Sequence, residues 1–399
     1  MNTNHTRNSA NTQEKLGEIL KEYGKFLQPH FDASVFMRCS DNFAQYKNIT
    51  SQKIYEMDKA CENPTFTIAI PVYKRVETLR ETIDSALAQD IYLDSASSAE
   101  EKCYEVIVVE NVDLADEPTP TQEMLESEYK GKITYYKNTG NVGLLGNFNR
   151  CIELAKGKWV CVLHSDDMIL PNYLSAMAEI LRDGEQNTKD VAMISCLEDR
   201  FGARSVGGGG WNSLFLEHFQ NKTLKSKLYN WTFQNTSKLD FCKSQHIFVS
   251  IPPSAVLHNR LKMFELGGYS QEEYPIADNF LTSRIIHNGG KIAVTPQILM
   301  KRRIEINDGF NQDTILKYCF IGTSFFWHYS PRFLASHNAY HYLHEYHLTL
   351  DEEYKTFIAT YILPRFKPLP RYVAGPLNRF YRKKFVIEMI VKRLFGLEK

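Results

Sequence analysis

The chain has no surplus of either charge: its 399 residues hold 47 Lys plus Arg against 47 Asp plus Glu. That balance removes the global electrostatic argument for a nucleic-acid partner, which needs an extended basic face. There is also no run of about 18 to 20 apolar residues of the kind that spans a membrane. The opening stretch, Met1 to Glu14, is polar and rich in Asn and Thr, without the apolar core of a secretory leader. The eight cysteines (Cys39, Cys61, Cys103, Cys151, Cys161, Cys196, Cys242 and Cys319) form no CxxC and no close His-Cys grouping. This spacing argues against a zinc site and for reduced thiols, so a cytoplasmic protein is expected. Hydrophobic residues make up 43% and charged residues 24%, near the averages for soluble globular proteins, which argues against disordered, collagenous and coiled-coil classes and fits a globular enzyme.

From Gln13 to about Lys59 the pattern is patchily helical, with Leu16, Ile19, Leu20 and Tyr23 on one face. This predicts a helical appendage over 1–62. Asn63-Pro64 ends it, because proline moves the preceding residue away from helical angles. Phe66 to Val72 then reads as a strand, and Val76, Leu79, Ile83 and Leu87 follow at helical spacing. Further strands are expected at Tyr104 to Val109, Ile133 to Tyr136, Trp159 to Leu163 and Val191 to Cys196. Phe148, Cys151, Ile152 and Ala155 mark a helix that Gly157 would close in a left-handed cap, and Leu174, Met177 and Leu181 mark another. Alternating strands and helices predict a doubly wound α/β fold with a mostly parallel sheet flanked by helices. Four consecutive glycines, Gly207 to Gly210, predict a loop that serves as a linker or a substrate lid. Beyond residue 300, Tyr318, Phe325, Tyr340, Tyr342 and Tyr346 predict core-forming helices.

Ligands of open parallel sheets collect beyond the carboxyl ends of the strands. Three such positions are polar here: Pro71-Val72-Tyr73-Lys74-Arg75, Glu110-Asn111-Val112-Asp113 and His164-Ser165-Asp166-Asp167. The adjacent carboxylates Asp166 and Asp167 repel each other unless a cation neutralises them. Mg²⁺ or Mn²⁺, held by one or two carboxylates together with phosphate oxygens, would do so and implies a diphosphate-bearing substrate. The alternative is a solvated acidic turn. In the loop before the Phe148 helix, Asn141, Gly143 and Asn147 are either ligand contacts or turn residues. Asp278, ahead of Phe280, Leu281, Ile285 and Ile286, reads on spacing alone as a helix N-cap. His164, His246 and His287 are left out of the site.

The blocks IAIPVYKRVETLRETIDSAL, YEVIVVEN and NVGLLGNFNRCIELAKGKWVCVLHSDD occur in this order between Thr65 and Pro171. Together they resemble family 2 glycosyltransferases of the GT-A fold. The resemblance implies a nucleotide-sugar half over 63–200, an acceptor half over 201–305 and a helical C-terminal region over 306–399. It further implies that Pro71, Val72, Tyr73, Arg75, Glu110 and Asn111, with Asn141, Gly143 and Asn147, hold the donor, that Asp166 faces the ribose and that Asp167 holds the metal. In the second half, Pro253 to Leu257 and Glu265-Leu266-Gly267-Gly268-Tyr269 are similar to the family's acceptor block, which makes Asp278 the general base. The implied reaction is an inverting transfer from a nucleotide-diphosphate sugar, a UDP-sugar in the first instance, to a saccharide or lipid-linked saccharide hydroxyl in surface polysaccharide synthesis. The family pattern is departed from in three places: Glu110-Asn111 stands for Asp-Asp, Phe148 for an Arg, and Ala277 for a Glu. These departures keep a catalytically inactive carbohydrate-binding scaffold in view. A nucleotidyltransferase is the other alternative, although Pro71 to Arg75 lacks the Gly-rich triphosphate loop it would need.

From Arg365 to Lys399 there are ten basic residues against two acidic, interleaved with Phe385, Ile387, Ile390, Val391 and Leu394. The pattern predicts either a basic amphipathic helix in peripheral contact with an anionic membrane or a solvated helix packed on the domain.

Overall fold

The computed structural model describes residues 2–58, 62–91, 104–114, 117–183, 190–202, 253–304, 311–329, 332, 335–336, 350–367, 369–377 and 379–380. The glycine run 207–210, Tyr340, Tyr342, Tyr346, His246 and the tail beyond 380 lie outside them. Nine strands form one sheet: β1 (Ser51–Tyr55), β2 (Phe66–Val72), β3 (Tyr104–Glu110), β4 (Thr134–Asn138), β5 (Trp159–Val162), β6 (Met168–Ile169), β7 (Val191–Phe201), β8 (Val256–Asn259) and β9 (Lys291–Arg303). Their spatial order is β1-β4-β3-β2-β5-β8-β7-β9-β6. The strands β4, β3, β2 and β5 run parallel, as expected for the first half. The second half is mixed: β8 is antiparallel to both β5 and β7, and β7 and β9 are parallel.

Every residue of β2 and β3 is buried, which accounts for their continuous apolar sequence. The polar exception in β2 is satisfied: Thr67 donates to Glu105 at 2.6 Å and accepts from Gly157 N at 2.9 Å. Gly157 does not close the preceding helix in a left-handed cap. A Cβ there would lie 2.6 Å from the Thr67 amide, so close backbone approach, not backbone angle, demands glycine at the entry to β5.

Helices cover both faces. On one, α2 (Leu79–Leu87), α3 (Pro120–Glu128) and α5 (Tyr173–Asp183) bury Leu79, Ile83, Leu125 and Met177 against β2, β3 and β5. On the other, α4 (Gly143–Leu154), α6 (Arg260–Glu265) and α7 (Ala277–His287) contribute Phe148, Ile152, Met263, Leu281 and Ile285. A third cluster joins α1 (Asn2–Tyr23) and the turns after it to α8 (Gln312–Tyr329) and the helical run Glu352–Phe366. Phe36 stacks on Phe280 of α7 at 4.3 Å between ring centroids, so this cluster is continuous with the sheet layers. The N-terminal segment is not helical throughout: Ser51–Tyr55 is a strand paired antiparallel with β4 at the sheet edge.

Candidate functional site

β5 delivers the chain to the candidate site. Leu163 N donates to Ala69 O at 3.0 Å and His164 N to Ser254 Oγ at 3.0 Å, so the chain leaves the sheet at a fixed point. Asp167 N then closes a turn onto His164 O at 3.1 Å. The far end of β9 clamps this turn. Arg303 N donates to Asp167 Oδ1 at 2.9 Å, and Arg303 Nε donates to the Asp166 carbonyl at 3.2 Å. The Arg303 guanidinium also pairs with Glu81 of α2.

The two carboxylates occupy different surroundings. The Asp166 side chain is 16% exposed and pairs with Arg75. That of Asp167 is 3% exposed, and burial, then the neighbouring Asp166 charge, pushes its carboxyl up to about 7. The His164 imidazole has Nδ1 4.0 Å from Asp167 Oδ2, while its buried Nε2 has no hydrogen-bond partner among the described residues. Burial holds this imidazole down at about 4, in the neutral form that ligates metals. One atom from each of His164, Asp166 and Asp167 falls within 4.8 Å of the others. One imidazole nitrogen and two carboxylates within that span fit a divalent cation, the carboxylates suiting Mg²⁺ or Mn²⁺. Phe148, at the position where an arginine was expected, stacks on the His164 ring with centroids 5.1 Å apart.

The loop after β2 is drawn to a second centre. Pro71 and Val72 are buried in β2 and act through the backbone, Val72 O accepting from Asn111 N at 2.8 Å. Tyr73, 43% exposed, donates to Asp113 at 3.0 Å. Lys74, in the left-handed region at φ 50°, also pairs with Asp113, and Asn141 Nδ2 donates to it at 2.8 Å. These contacts, the Lys74 ammonium foremost, hold the Asp113 carboxyl down at about 2. Asn141 Oδ1 in turn accepts from Gly143 N at the start of α4 and from Asn111 Nδ2. Tyr73, Arg75, Asn141, Gly143 and Asp166 are thus gathered at the carboxyl ends of β2, β3 and β5.

Three expected contacts are turned inward. Both Glu110 oxygens are occupied, one by Thr119 Oγ1 at 2.7 Å and the other by the Tyr135 hydroxyl, with the residue 2% exposed. Asn147 donates to Val109 O and accepts from Asn138, and Asn111 accepts from Val142 N and Asn138. These buried amides fasten α4 to β3 and β4. Each engages its carbonyl oxygen and one amide hydrogen within the fold.

Asp278 is not a helix cap. The helix α7 begins at Ala277 with Ile276 as its N-cap, and Asp278 lies in the first turn. Burial raises its carboxyl above the usual range. The Arg302 charge opposes that shift, and the same arginine acts on His164 and Asp167. Arg302 therefore lies within electrostatic reach of both parts of the site. It approaches the fully buried Glu198 side chain at 3.5 Å, and Arg200 Nε donates to the other Glu198 oxygen at 2.6 Å. Opposite α7, the Gly267-Gly268 turn has φ of 80° and 72°. A Cβ on Gly267 would stand 1.8 Å from Ser40 O, so only glycine lets the N-terminal segment cross there. His164, Asp113, Arg302 and Arg303 were not among the expected site residues. His164 and Asp113 stand in the polar segments that follow β5 and β3, and the available signal for the two arginines is the basic run Lys301-Arg302-Arg303 closing an apolar strand.

Residues 67–259 match the family described as glycosyl transferase family 2. An uncharacterized glycosyltransferase of Rickettsia typhi is 34% identical over 130 residues, 32% of this chain and 35% of that protein. The chain thus spans about a third of the length of the Rickettsia typhi and Rickettsia prowazekii relatives it matches. An uncharacterized glycosyltransferase of Methanocaldococcus jannaschii is 22% identical over 64% of this chain and 74% of its own length. Among solved structures, S. aureus TarS in complex with UDP-GlcNAc aligns with TM-score 0.47 at 13% identity, covering 77% of this chain and 82% of that one. A mannosyltransferase of Pyrobaculum calidifontis with GDP-Man and Mn²⁺ aligns with TM-score 0.44 at 14% identity, covering 96% and 99%.

Proposed function

Starting from residues 67–259 as a domain of glycosyl transferase family 2, we propose that the chain transfers a sugar, with inversion, from a nucleotide-diphosphate donor to an acceptor hydroxyl. The observation that carries this reading is the buried Asp167 carboxylate, set beside Asp166 and His164 where a parallel strand ends. His164, Asp166 and Asp167 would hold Mg²⁺ or Mn²⁺, which when bound neutralises the charge gathering on the departing diphosphate. Tyr73, Arg75, Asn141 and Gly143 would line the donor side. Asp278 would take the acceptor proton as the hydroxyl attacks, and the burial that raises its carboxyl makes it the stronger base. Arg302, anchored by Glu198, would keep the two sides electrostatically coupled. The donor is proposed to be a UDP-sugar and the acceptor a saccharide or lipid-linked saccharide of a surface polysaccharide.

Thermal-shift measurements with nucleotide sugars and Mn²⁺ test the donor, since a ligand of the folded state raises its melting temperature. The expected result is a shift with a UDP-sugar that requires Mn²⁺. No shift with any nucleotide sugar would remove the reading. Asp278→Asn should keep the donor-dependent shift and lose transfer, and an undiminished turnover number would assign the base elsewhere.

A further inference from the structure

A second concentration of chemistry lies far along the chain from the metal cluster, in the C-terminal helical region. A cavity of about 420 Å³ opens between the end of α8 and the end of the Glu352–Phe366 run, lined by Trp327, Arg332, Arg365, Phe366 and Lys367. Three of the five lining residues are cations and none is acidic. The Arg332 guanidinium sits 5.4 Å from the Trp327 ring centroid and reaches the Lys367 carbonyl at 3.5 Å. Lys367 itself adopts φ 40°, a conformation that costs a non-glycine residue energy unless its surroundings over-determine it. Arg332, Arg365 and Lys367 are all solvent-exposed, so the cavity is an open basic surface whose lining suits an anion.

The next elements say which kind. Leu369 N is fixed to Ser336 Oγ at 2.8 Å, and a helical stretch follows at once from Arg371. Along it Tyr372 is 80% exposed, Phe380 68% and Leu377 43%. Positions 372, 377 and 380 fall within one arc of about 140° on a helix of 3.6 residues per turn, with Arg379 and Arg371 both on the side next to Tyr372. An exposed aromatic and aliphatic arc bordered by arginines is the composition of a surface that lies in a lipid headgroup layer. A free phosphate has no use for Leu377 or Phe380, and a nucleic acid has no use for an aliphatic side chain within its binding face.

We propose that this region docks on an anionic lipid surface, with a headgroup phosphate entering the Trp327, Arg332, Arg365, Phe366 and Lys367 cavity while Tyr372, Leu377 and Phe380 enter the interface. This docking does not depend on the transferase reading. The test is sedimentation of the full chain with vesicles of phosphatidylcholine alone and with added phosphatidylglycerol. Pelleting is expected only with phosphatidylglycerol and should weaken with salt. Arg332→Gln, Arg365→Gln and Lys367→Gln should each lower partitioning about fivefold. The doubly exposed variant Tyr372→Ser/Phe380→Ser, which touches no packing, should also lower it while the melting temperature stays unchanged. Wild-type chain that remains in the supernatant with both vesicles, or pellets equally with both, overturns the proposal. So does retention of full partitioning in both the cavity and the exposed variants. Two further results reassign the cations and equally overturn it: quenching of tryptophan fluorescence by inorganic phosphate without pelleting, and a shifted RNA oligonucleotide without pelleting.

Discussion

The ends of β3 and β5 each present a buried carboxylate, yet they differ in what surrounds it. At the end of β3, Glu110 has both oxygens taken by Thr119 and Tyr135. At the end of β5, Asp167 receives one backbone amide, faces a second carboxylate and lies near an imidazole whose buried nitrogen lacks a partner among the described residues. Two histidines repeat the contrast, His258 fully buried and His164 with its side chain 25% exposed. His258 of β8 uses both nitrogens, on Val160 O at 3.2 Å and the Tyr269 hydroxyl at 2.8 Å, and His164 does not. Burial alone does not distinguish a structural polar group from a functional one. What distinguishes them is whether the fold itself meets the group's hydrogen-bonding and charge requirements.

The largest expected effect separates the two carboxylates by activity. Asp167→Asn should lower Mn²⁺-dependent hydrolysis of a nucleotide sugar by about 10²–10³-fold, whereas Glu110→Gln should stay within about threefold of wild type. Equal losses, read from initial rates at saturating Mn²⁺, would erase the distinction between the two strand ends.

Next comes pH. Burial holds the His258 imidazole down at about 4, against roughly 6.5 in an unfolded chain. Because the folded value is the lower, its contribution is complete above pH of roughly 6.5 and is lost as pH falls towards 4. The difference amounts to about 3 kcal/mol at most. Urea melts at stepped pH should therefore show a shallower acid-side decline in His258→Gln than in wild type. An identical decline in the two proteins would place the imidazole's energetics elsewhere.

A smaller effect compares stability at the two strand ends. Tyr135→Phe removes one of the two partners of the buried Glu110 and should cost about 1–3 kcal/mol in urea denaturation. Asp166→Asn breaks the ion pair with Arg75, whose side chain is 41% exposed, and should cost under about 1 kcal/mol. Reversal of that order would mean that the β5 turn, not the β3 end, is held by its side chains.

The parts of the fold legible in the sequence were those where burial is two-sided. The strands β2, β3 and β5 read from apolar runs because neighbours and helices cover them on both faces. Ser51–Tyr55 carries a polar sequence and is only partly buried at the sheet edge, so its strand character comes from pairing with β4 and leaves no local pattern. The length of β7 was underestimated for a related reason: residues 197–201 are strand because they pair with 298–303 of β9. At the site, Asp166 and Asp167 were visible as an unusual pair after a strand. His164 was set aside because nothing local reveals that Nε2 lacks a partner. For Arg303 the basic run is the only local sign, because its contact with Asp167 joins residues 136 positions apart. Glu110 and Asn147 were expected to face a ligand because of where they stand in the chain, but the direction of a side chain at a strand end depends on partners such as Tyr135 and Asn138.

The bond from Arg303 to Asp167 comes from the main chain, and this sets how the candidate metal cluster of His164, Asp166 and Asp167 can be lost over generations. Nineteen of the twenty residues at position 303 would still supply an N–H, so drift there erodes the guanidinium contacts with Asp166 and Glu81 while leaving the inner carboxylate anchored. Only proline, which has no such hydrogen, would release it in a single step.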